Sequence, residues 1–402
     1  MKGRWEVKKL GEACEFQRGL TYAKVDEVEV SANIVLRATN INLATNRLDF
    51  SELKYINENV IVPISKKVKK HSLMICTASG SKSHLGKVAY IDGDYDYAFG
   101  GFMGMITPKA NLVSKYLFHL MTSDAYKDFI SELSDGSNIN NLKFDDLRNF
   151  EIPVPPLPEQ QRIVALLDEA FAAIATARAN AEKNLKNARA LFDSYLNSVF
   201  TQRGDGWVEK SLEQICSKIT DGEHIRPQMV ASGVPFLSAK DVLDDKIFFT
   251  DSLFVSEIDA VKFRKRCNPE QGDILIVSRG ATVGRTCVVN TREIFCLLGS
   301  VILLKVGANY SSHFIAYALK SPAIRNQLMT VSEATAQPAI YLRDIKPLWI
   351  GCPSLTEQKE IVERLDSLRE ETQRLEAIYQ KKLVALDALK KSILHQAFMG
   401  EL

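Results

Sequence analysis

The longest regular pattern in the sequence is a run of apolar residues spaced three and four apart, which follows a proline-rich segment at residues 152–156. The run extends from residue 157 to residue 200 without a glycine, and Pro158 is compatible with the first turn of a helix. Apolar side chains recur at Ile163, Leu167, Ala170, Ile174, Ala177 and Ala181, and after a four-residue step to Leu185 at Ala188, Phe192, Tyr195 and Val199. This spacing predicts one helix of roughly 65 Å.

A second run of the same kind fills the end of the sequence. It begins at Ser354-Leu355-Thr356-Glu357, which predicts a capping box in which Ser354 accepts from the backbone and Glu357 reaches back. We expect the two helices to pack as an antiparallel coiled coil about a pseudo-twofold axis, because a small domain cannot bury so long a stripe. A helical hairpin inside one core is the alternative.

The residues outside the two runs form two segments of mixed character. We expect a division into a first globular domain at 1–153, a first long helix at 154–204, a second globular domain at 205–352 and a second long helix at 353–402. Short β-rich runs and helical stretches alternate in both globular segments, so the predicted fold class is α+β. The predicted strands include Lys87–Ile91, Ile274–Ser278 and Val301–Val306, and the predicted helices are Ser114–Leu133 and Ser312–Thr330.

The two halves of the sequence are copies of one unit. Trp5, Leu10 and Cys14 recur 202 positions later as Trp207, Leu212 and Cys216. Residues 139–168 and 337–366 are identical at ten of thirty positions. The copies agree least inside the globular segments, so the duplication predicts two similar scaffolds that recognise two different targets.

Composition indicates the cellular compartment and limits the kinds of binding partner. The net charge of +2 over 402 residues carries no overall signature of nucleic-acid binding, so any DNA contact must come from local clusters. Seven cysteines form an odd set without a Cys-x-x-Cys motif, which indicates reduced thiols in a cytoplasm. We see no signal peptide and no apolar run long enough for a membrane span.

Polar loops and two basic runs supply the candidate DNA contacts. Asn, Gln, Ser, Lys and Arg are the side chains that hydrogen-bond base edges and phosphates, although such loops are often plain turns and a basic run is often a solvated face. The candidates of the first copy are Arg37, Asn40, Lys67, Lys69, Lys70, Ser79, Ser81, Lys82, Ser83, Ser137, Asn138 and Asn140. The candidates of the second copy are His224, Arg226, Lys240, Arg264, Lys265, Arg266, Ser278, Arg279, Thr335 and Gln337.

The motifs that would carry chemistry are missing from the sequence. Five residues separate Gly80 from Gly86 where a phosphate loop has four, and Val88 stands where that loop needs Ser or Thr. The tetrapeptide of amino-methyltransferases is absent, and the six histidines lack metal-ligand spacing. We therefore expect no catalytic residue, no metal and no cofactor.

The sequence resembles the specificity subunits of type I restriction-modification enzymes over essentially its whole length. Two matching motifs at the starts of the long helices carry most of the resemblance. They are Pro155-Pro156-Leu157-Pro158-Glu159-Gln160 with Ile163, Val164 and Asp168, and Ser354-Leu355-Thr356-Glu357-Gln358 with Ile361, Val362 and Asp366. The closing segment Ile393–Leu402, the stretch Gly272-Asp273-Ile274-Leu275 and the loop at residues 136–141 add to it.

The resemblance implies that each globular domain reads one half of an asymmetric, bipartite site in double-stranded DNA. It implies that the helices set the spacing and dock two methyltransferase subunits, that restriction endonuclease subunits join the complex, and that these partners bind the methyl donor and ATP. The alternative is a coiled-coil scaffold with two protein-binding domains and no role on DNA. A self-sufficient DNA methyltransferase or nuclease is a third hypothesis, which the missing motifs disfavour.

Overall fold

A computed structural model describes residues 5–80, 84–135, 141–202, 204–225, 227–333 and 338–402. The chain divides into two compact units, Met1–Ala181 with Lys381–Leu402, and Glu182–Gln380. Each unit therefore contains one globular domain, the first part of the long helix that follows this domain, and the last part of the other long helix.

The first globular domain is built on two small sheets. The strands of the central sheet, in spatial order, are Cys14–Arg18, Met103–Pro108, Leu73–Cys76 and Val88–Tyr90, all antiparallel. The second sheet runs Glu27–Val28, Lys54–Ile56, Asn33–Leu36 and Ala98–Phe99, and only its last pair is parallel. Glu6–Lys9 pairs with Glu151–Val154, so the two ends of the domain meet directly before the long helix. The helices are Leu10–Ala13, Ser114–Leu120, Asp124–Asp135 and Phe144–Leu147, with 3-10 turns at Lys24–Asp26, Ala38–Asn40 and Ile64–Lys66.

The second globular domain has the same plan. Its central sheet runs Cys216–Asp221, Val301–Val306, Ile274–Val277 and Thr286–Val288, all antiparallel. A three-stranded sheet runs Leu253–Val255, Val234–Leu237 and Cys296–Leu297, and the pairs Val242–Leu243 with Lys246–Ile247 and Val208–Ser211 with Trp349–Cys352 complete the strands. The helices are Leu212–Ile215, Glu257–Arg266, Ser312–Lys320, Pro322–Glu333 and Leu342–Ile345.

Two of the predicted helices are each split in two. The stretch predicted as one helix at Ser114–Leu133 breaks at Ser123, whose hydroxyl donates to the Leu120 carbonyl at 2.6 Å and accepts from the Tyr126 amide at 3.4 Å. In the second unit Ser321 donates to the Ala318 carbonyl at 2.6 Å. A serine that bonds the backbone locally competes with the helical ladder, so each predicted helical stretch forms as two helices.

The central strands are buried because helices cover one face of each sheet and the smaller sheet covers the other. All four residues of Leu73–Cys76 and of Ile274–Val277 are buried. In the first unit the core also takes Ile163 and Leu167 from the start of one long helix and Leu394 and Ala397 from the end of the other. A continuous apolar strand of this kind is typical of a sheet covered on both faces.

The two long helices are Leu157–Thr201 and Leu355–Met399, each of 45 residues. In the first unit Arg162 Nη2 donates to the Leu402 carbonyl at 2.8 Å, and Arg178 pairs with Asp387. Residue numbers rise along one segment as they fall along the other, so the two segments run antiparallel. In the second unit the Arg189–Glu376 pair at 2.9 Å follows the same register. The predicted fold class, two α+β domains joined by long antiparallel helices, is confirmed.

The capping box predicted at the second helix forms only in part. The Ser354 hydroxyl accepts from the Glu357 amide at 3.3 Å, as expected. The Glu357 carboxylate accepts instead from Trp207 Nε1 at 3.1 Å, and so it ties the start of the helix to the entry of the second globular domain.

Candidate nucleic-acid interface

A cleft of about 290 Å³ lies at the end of the central strand Ile274–Val277 in the second globular domain. Three residues predicted from the sequence, His224, Ser278 and Arg279, line it together. The other lining residues are Asp221, Gly299, Ile302, Ile340, Tyr341, Leu342 and Arg343.

Backbone hydrogen bonds hold the two walls of this cleft in register. The Ile340 amide donates to the Ser278 carbonyl at 2.8 Å, and the Gly280 amide donates to the Pro338 carbonyl at 3.3 Å. Gly280 has a φ of 94°, in the left-handed region that glycine adopts without a Cβ clash. The chain can therefore turn sharply beside Arg279 and still return along the second wall.

One carboxylate organises the basic groups on one side of the cleft. Asp221 accepts from Arg266 through Oδ1 at 2.5 Å and pairs through Oδ2 with His224 Nε2 at 3.0 Å. The Asp221 side chain is 13% exposed, whereas that of Arg266 is 46% exposed. Asp221 thus fixes the guanidinium and imidazole groups in place and leaves much of the Arg266 side chain exposed to solvent.

Two further guanidinium groups lie against one aromatic ring on the other side. The Cζ atoms of Arg279 and Arg343 are 5.8 Å and 4.9 Å from the centroid of the Tyr341 ring. Tyr341 and Arg343 are not among the candidate DNA contacts predicted from the sequence. Both lie in the duplicated stretch at 337–366, and the signal that could have identified them is their replacement by Lys143 and Asp145 in the first copy.

The remaining candidates of the second domain lie elsewhere or are buried. Lys240 Nζ donates to the Asp251 carbonyl at 3.1 Å, and Arg264 Nε donates to Asn268 at 2.6 Å. Lys265 is exposed on the helix Glu257–Arg266. Ser278 is 2% exposed and its hydroxyl donates to the Gly299 carbonyl at 3.4 Å, so we withdraw its side chain as a DNA contact.

In the first domain two of the four lysines in the basic run at residues 66–70 are paired with acids. Lys67 pairs with Asp96, and Lys70 lies 3.5 Å from Asp94. Both carboxylates are more than four-fifths exposed, while Lys69 is exposed in the same segment. Because the acids lie beside the lysines, the positive potential expected from the run alone is reduced.

The other described candidates of the first domain differ in accessibility. Asn40 is 1% exposed; its side chain accepts from the Arg37 amide at 2.8 Å and donates to the carbonyls of Asp49 and Glu52, each at 2.8 Å. A buried amide with these bonds holds a turn, so we withdraw Asn40 as a DNA contact. Arg37 is half-buried with Nε lacking a hydrogen-bond partner, and Ser79 is half-buried beyond the strand Leu73–Cys76.

Nine candidates lie outside the described residues. They are Ser81, Lys82, Ser83, Ser137, Asn138, Asn140, Arg226, Thr335 and Gln337.

The thiols of this chain are poor nucleophiles. All seven cysteines are free, and burial raises the pKa of each, to about 12 for Cys14, Cys216 and Cys267 and to about 11 for the other four. A thiol with such a pKa is protonated at neutral pH, and the thiolate is the reactive form.

Within the described part of the chain, no group of three or more His, Cys, Asp or Glu side chains is placed to hold a metal ion. None of the described helices combines the length and the apolar character that crossing a membrane would require.

Duplicated α+β domains, each followed by a long helix and carrying different loop side chains, define a two-domain recognition protein. The family model described as "Type I restriction modification DNA specificity domain" matches twice, over residues 2–186 and 204–383. The chain therefore belongs to the family of type I restriction-modification specificity subunits, as the resemblance predicted.

Individual relatives agree along nearly the whole chain. The EcoKI specificity subunit of Escherichia coli K12 is 28% identical, over 99% of this chain and 89% of its own length. The StySPI specificity subunit of Salmonella potsdam is 26% identical over the same shares. The crystal structure of the HsdS subunit from Thermoanaerobacter tengcongensis has a TM-score of 0.67 at 21% identity and covers 100% of this chain and 98% of that one. A structure of a type I restriction-modification system has a TM-score of 0.80 at 22% identity, covering 100% and 99%; these two matches bear on the fold alone.

Proposed function

We propose that this chain is the DNA-sequence-specificity subunit of a type I restriction-modification complex and contributes recognition without catalysis. Each globular domain reads one half of an asymmetric bipartite site in double-stranded DNA. The helices set the distance between the halves and dock two methyltransferase subunits, and restriction endonuclease subunits join this core. We place the complex in the cytoplasm, in keeping with the odd set of free thiols.

The observation that carries this proposal is one backbone frame with two sets of side chains. Where the second domain pairs Ser278 with Ile340, the first pairs the Leu142 amide with the Thr77 carbonyl at 2.6 Å. The next residues differ completely: Ala78 in the first domain corresponds to Arg279 in the second. A shared scaffold with divergent loop chemistry suits two readers of different sequences.

The proposed DNA contacts are the described candidates whose side chains are not buried. In the second domain they are His224, Lys240, Arg264, Lys265, Arg266, Arg279 and, newly, Arg343. In the first domain they are Arg37, Lys67, Lys69, Lys70 and Ser79. The proposed domain boundaries are those of the sequence: 1–153, 154–204, 205–352 and 353–402.

A domain exchange tests the division of labour. Residues 1–153 are replaced by the corresponding domain of another family member, and modified bases are sequenced in DNA from cells that carry the methyltransferase subunits. One half of the modified site should change and the other should stay. If both halves change together, the two domains do not read independently and the proposal fails. If the spacing between the halves changes as well, the helices alone do not set it.

A further inference from the structure

Two arginines lie against the Tyr341 ring at once. Cation–π attraction acts within about 6 Å of a ring centroid, and both Arg279 and Arg343 meet that distance. Each arginine gains from the ring, but the two guanidinium groups repel one another. A third group that is negative or rich in hydrogen-bond acceptors would relieve this repulsion.

The nearby carboxylates fill that role only in part, through an ion pair between Asp344 and Arg343. Asp344 lies 3.7 Å from Arg343 Nε, and its other oxygen accepts from the Tyr341 amide at 2.9 Å. Asp221 is occupied by Arg266 and His224. The Arg343 side chain is 79% exposed, so its guanidinium is accessible to a ligand from solvent.

The two arginines are also held by a rigid frame. Arg279 forms a β-bridge with Ala339, between the Ser278–Ile340 bond and the Gly280–Pro338 bond. Tyr341 follows this pairing by one residue and is the N-cap of the helix Leu342–Ile345. The backbone beside the cleft is therefore fixed by hydrogen bonds, and contact with the Tyr341 ring restrains both guanidinium groups, which reduces the entropy lost when a ligand binds.

We propose that Arg279 and Arg343, held against Tyr341, read a guanine in the DNA half-site of the second domain; this inference rests on the proposed function. Guanine presents two adjacent acceptors, O6 and N7, in the major groove, and the planar fork of a guanidinium matches both. A guanidinium can also bind a phosphate through two hydrogen bonds, and a preference for one base is what separates the two ligands. A ring that restrains the guanidinium adds orientation, and orientation is what base reading requires.

The first domain provides an internal comparison. Its Ala78 forms the equivalent β-bridge with Asn141, so the backbone frame is the same. The positions of Arg279, Tyr341 and Arg343 are taken there by Ala78, Lys143 and Asp145, and Asp145 pairs with Arg148 at 2.7 Å. At these three described positions the first domain therefore lacks the paired arginines of the second.

The test uses the full chain assembled with its methyltransferase subunits and duplexes randomised across the second half-site. Binding is measured at two salt concentrations for the wild type, Arg279→Lys and Arg343→Lys. Arg292→Lys is the matched control, because Arg292 is exposed in the same domain and bonds Gln271 outside the cleft. We expect the wild type to require guanine at one position. Each cleft variant should lose roughly 10- to 100-fold on that duplex, with the salt dependence unchanged.

Tyr341 variants separate recognition from folding. Tyr341→Phe keeps the ring and should bind like the wild type, whereas Tyr341→Ala should relax the guanine preference as Arg343→Lys does. Binding to the first half-site should stay normal in every variant, which shows that the complex is folded.

Three results would overturn the inference while the proposed function stands: a second half-site without guanine, cleft variants that bind like Arg292→Lys, or equal weakening on all sequences, which indicates a phosphate contact. If the wild-type complex shows no sequence preference at all, the proposed function itself fails.

Discussion

Gln160 lies at the junction of the first globular domain with its long helix and offers a strong test of how the two are joined. The residue is fully buried. Its Oε1 accepts from the Val113 amide at 2.7 Å, and its Nε2 donates to the carbonyls of Asn111 at 3.0 Å and Pro155 at 2.8 Å. The side chain thus satisfies backbone groups on both sides of the junction.

Replacing Gln160 with Met keeps the length and removes all three bonds. Asn111 is exposed, so water can hydrate its carbonyl, but Pro155 is buried and Val113 is half-buried. A buried group left without a partner costs about 1–3 kcal/mol, so the two groups together should lower the free energy of unfolding of the first unit by about 3 kcal/mol. Methionine recovers little of this, because the site was already closed to water.

Hydrogen exchange read by mass spectrometry is the suitable assay, since a chain of two units need not unfold in one step. Peptides of the first unit should exchange roughly 100-fold faster, as about 1.4 kcal/mol corresponds to a factor of ten, and peptides of the second unit should not change. Gln161→Met is the control, because Gln161 is exposed. If Gln160→Met is no more damaging than this control, the junction does not depend on the buried amide.

The equivalent residue in the second unit gives a mirror experiment. Gln358 is 1% exposed, accepts from the Ser311 amide at 2.9 Å and donates to the Pro353 carbonyl at 2.9 Å. Gln358→Met should therefore accelerate exchange in the second unit only. Acceleration in both units would mean that the units unfold together.

Three further predictions concern the first unit. Burial holds the pKa of His119 below its usual 6.5, so the unfolded chain binds the proton more tightly and stability should fall as the pH drops below about 6.5. His119→Gln should flatten this fall in hydrogen exchange measured from pH 7.5 to 5.5. An unchanged slope would refute the prediction. Deleting residues 393–402 removes the buried Leu394 and Ala397 and should lower the free energy of unfolding of the first unit by several kcal/mol, on the order of two core truncations. The loss should appear as reduced protection from hydrogen exchange in the first unit, and retained protection would contradict it. Arg178→Ala breaks an exposed pair with Asp387 and should change the unfolding free energy by less than about 1 kcal/mol, and a larger loss by the same assay would argue against it.

The His119 prediction has a structural cause that the sequence does not show. His119 Nε2 lies 3.0 Å from Asp168 Oδ1, while Nδ1 is buried without a hydrogen-bond partner. Protonating Nδ1 would bury an unpaired N–H group, which outweighs the attraction to Asp168. The duplicated position in the second unit is Tyr317, which bonds Asp366 instead, so only the first unit should respond at this position.

The sequence by itself determined the duplication, the two long helices and the family. These features are local or collinear: helical periodicity needs only neighbours three and four residues away, and a repeat needs only matched positions along the chain. Ile163 and Leu167, which the spacing places on the apolar stripe of the first long helix, are fully buried. Glu159 and Gln160, which belong to the motif at residues 155–160, lie at the start of the long helix, where Gln160 joins the helix to its domain.

Only the tertiary structure decided which candidate side chains share a surface. Arg279 and Tyr341 are 62 positions apart, and strand pairing brings them together at one ring. The same folding buried Asn40 and placed Asp94 and Asp96 beside the lysines of the first domain. Burial and charge pairing depend on distances across the folded chain, which residue type and spacing along the sequence do not contain.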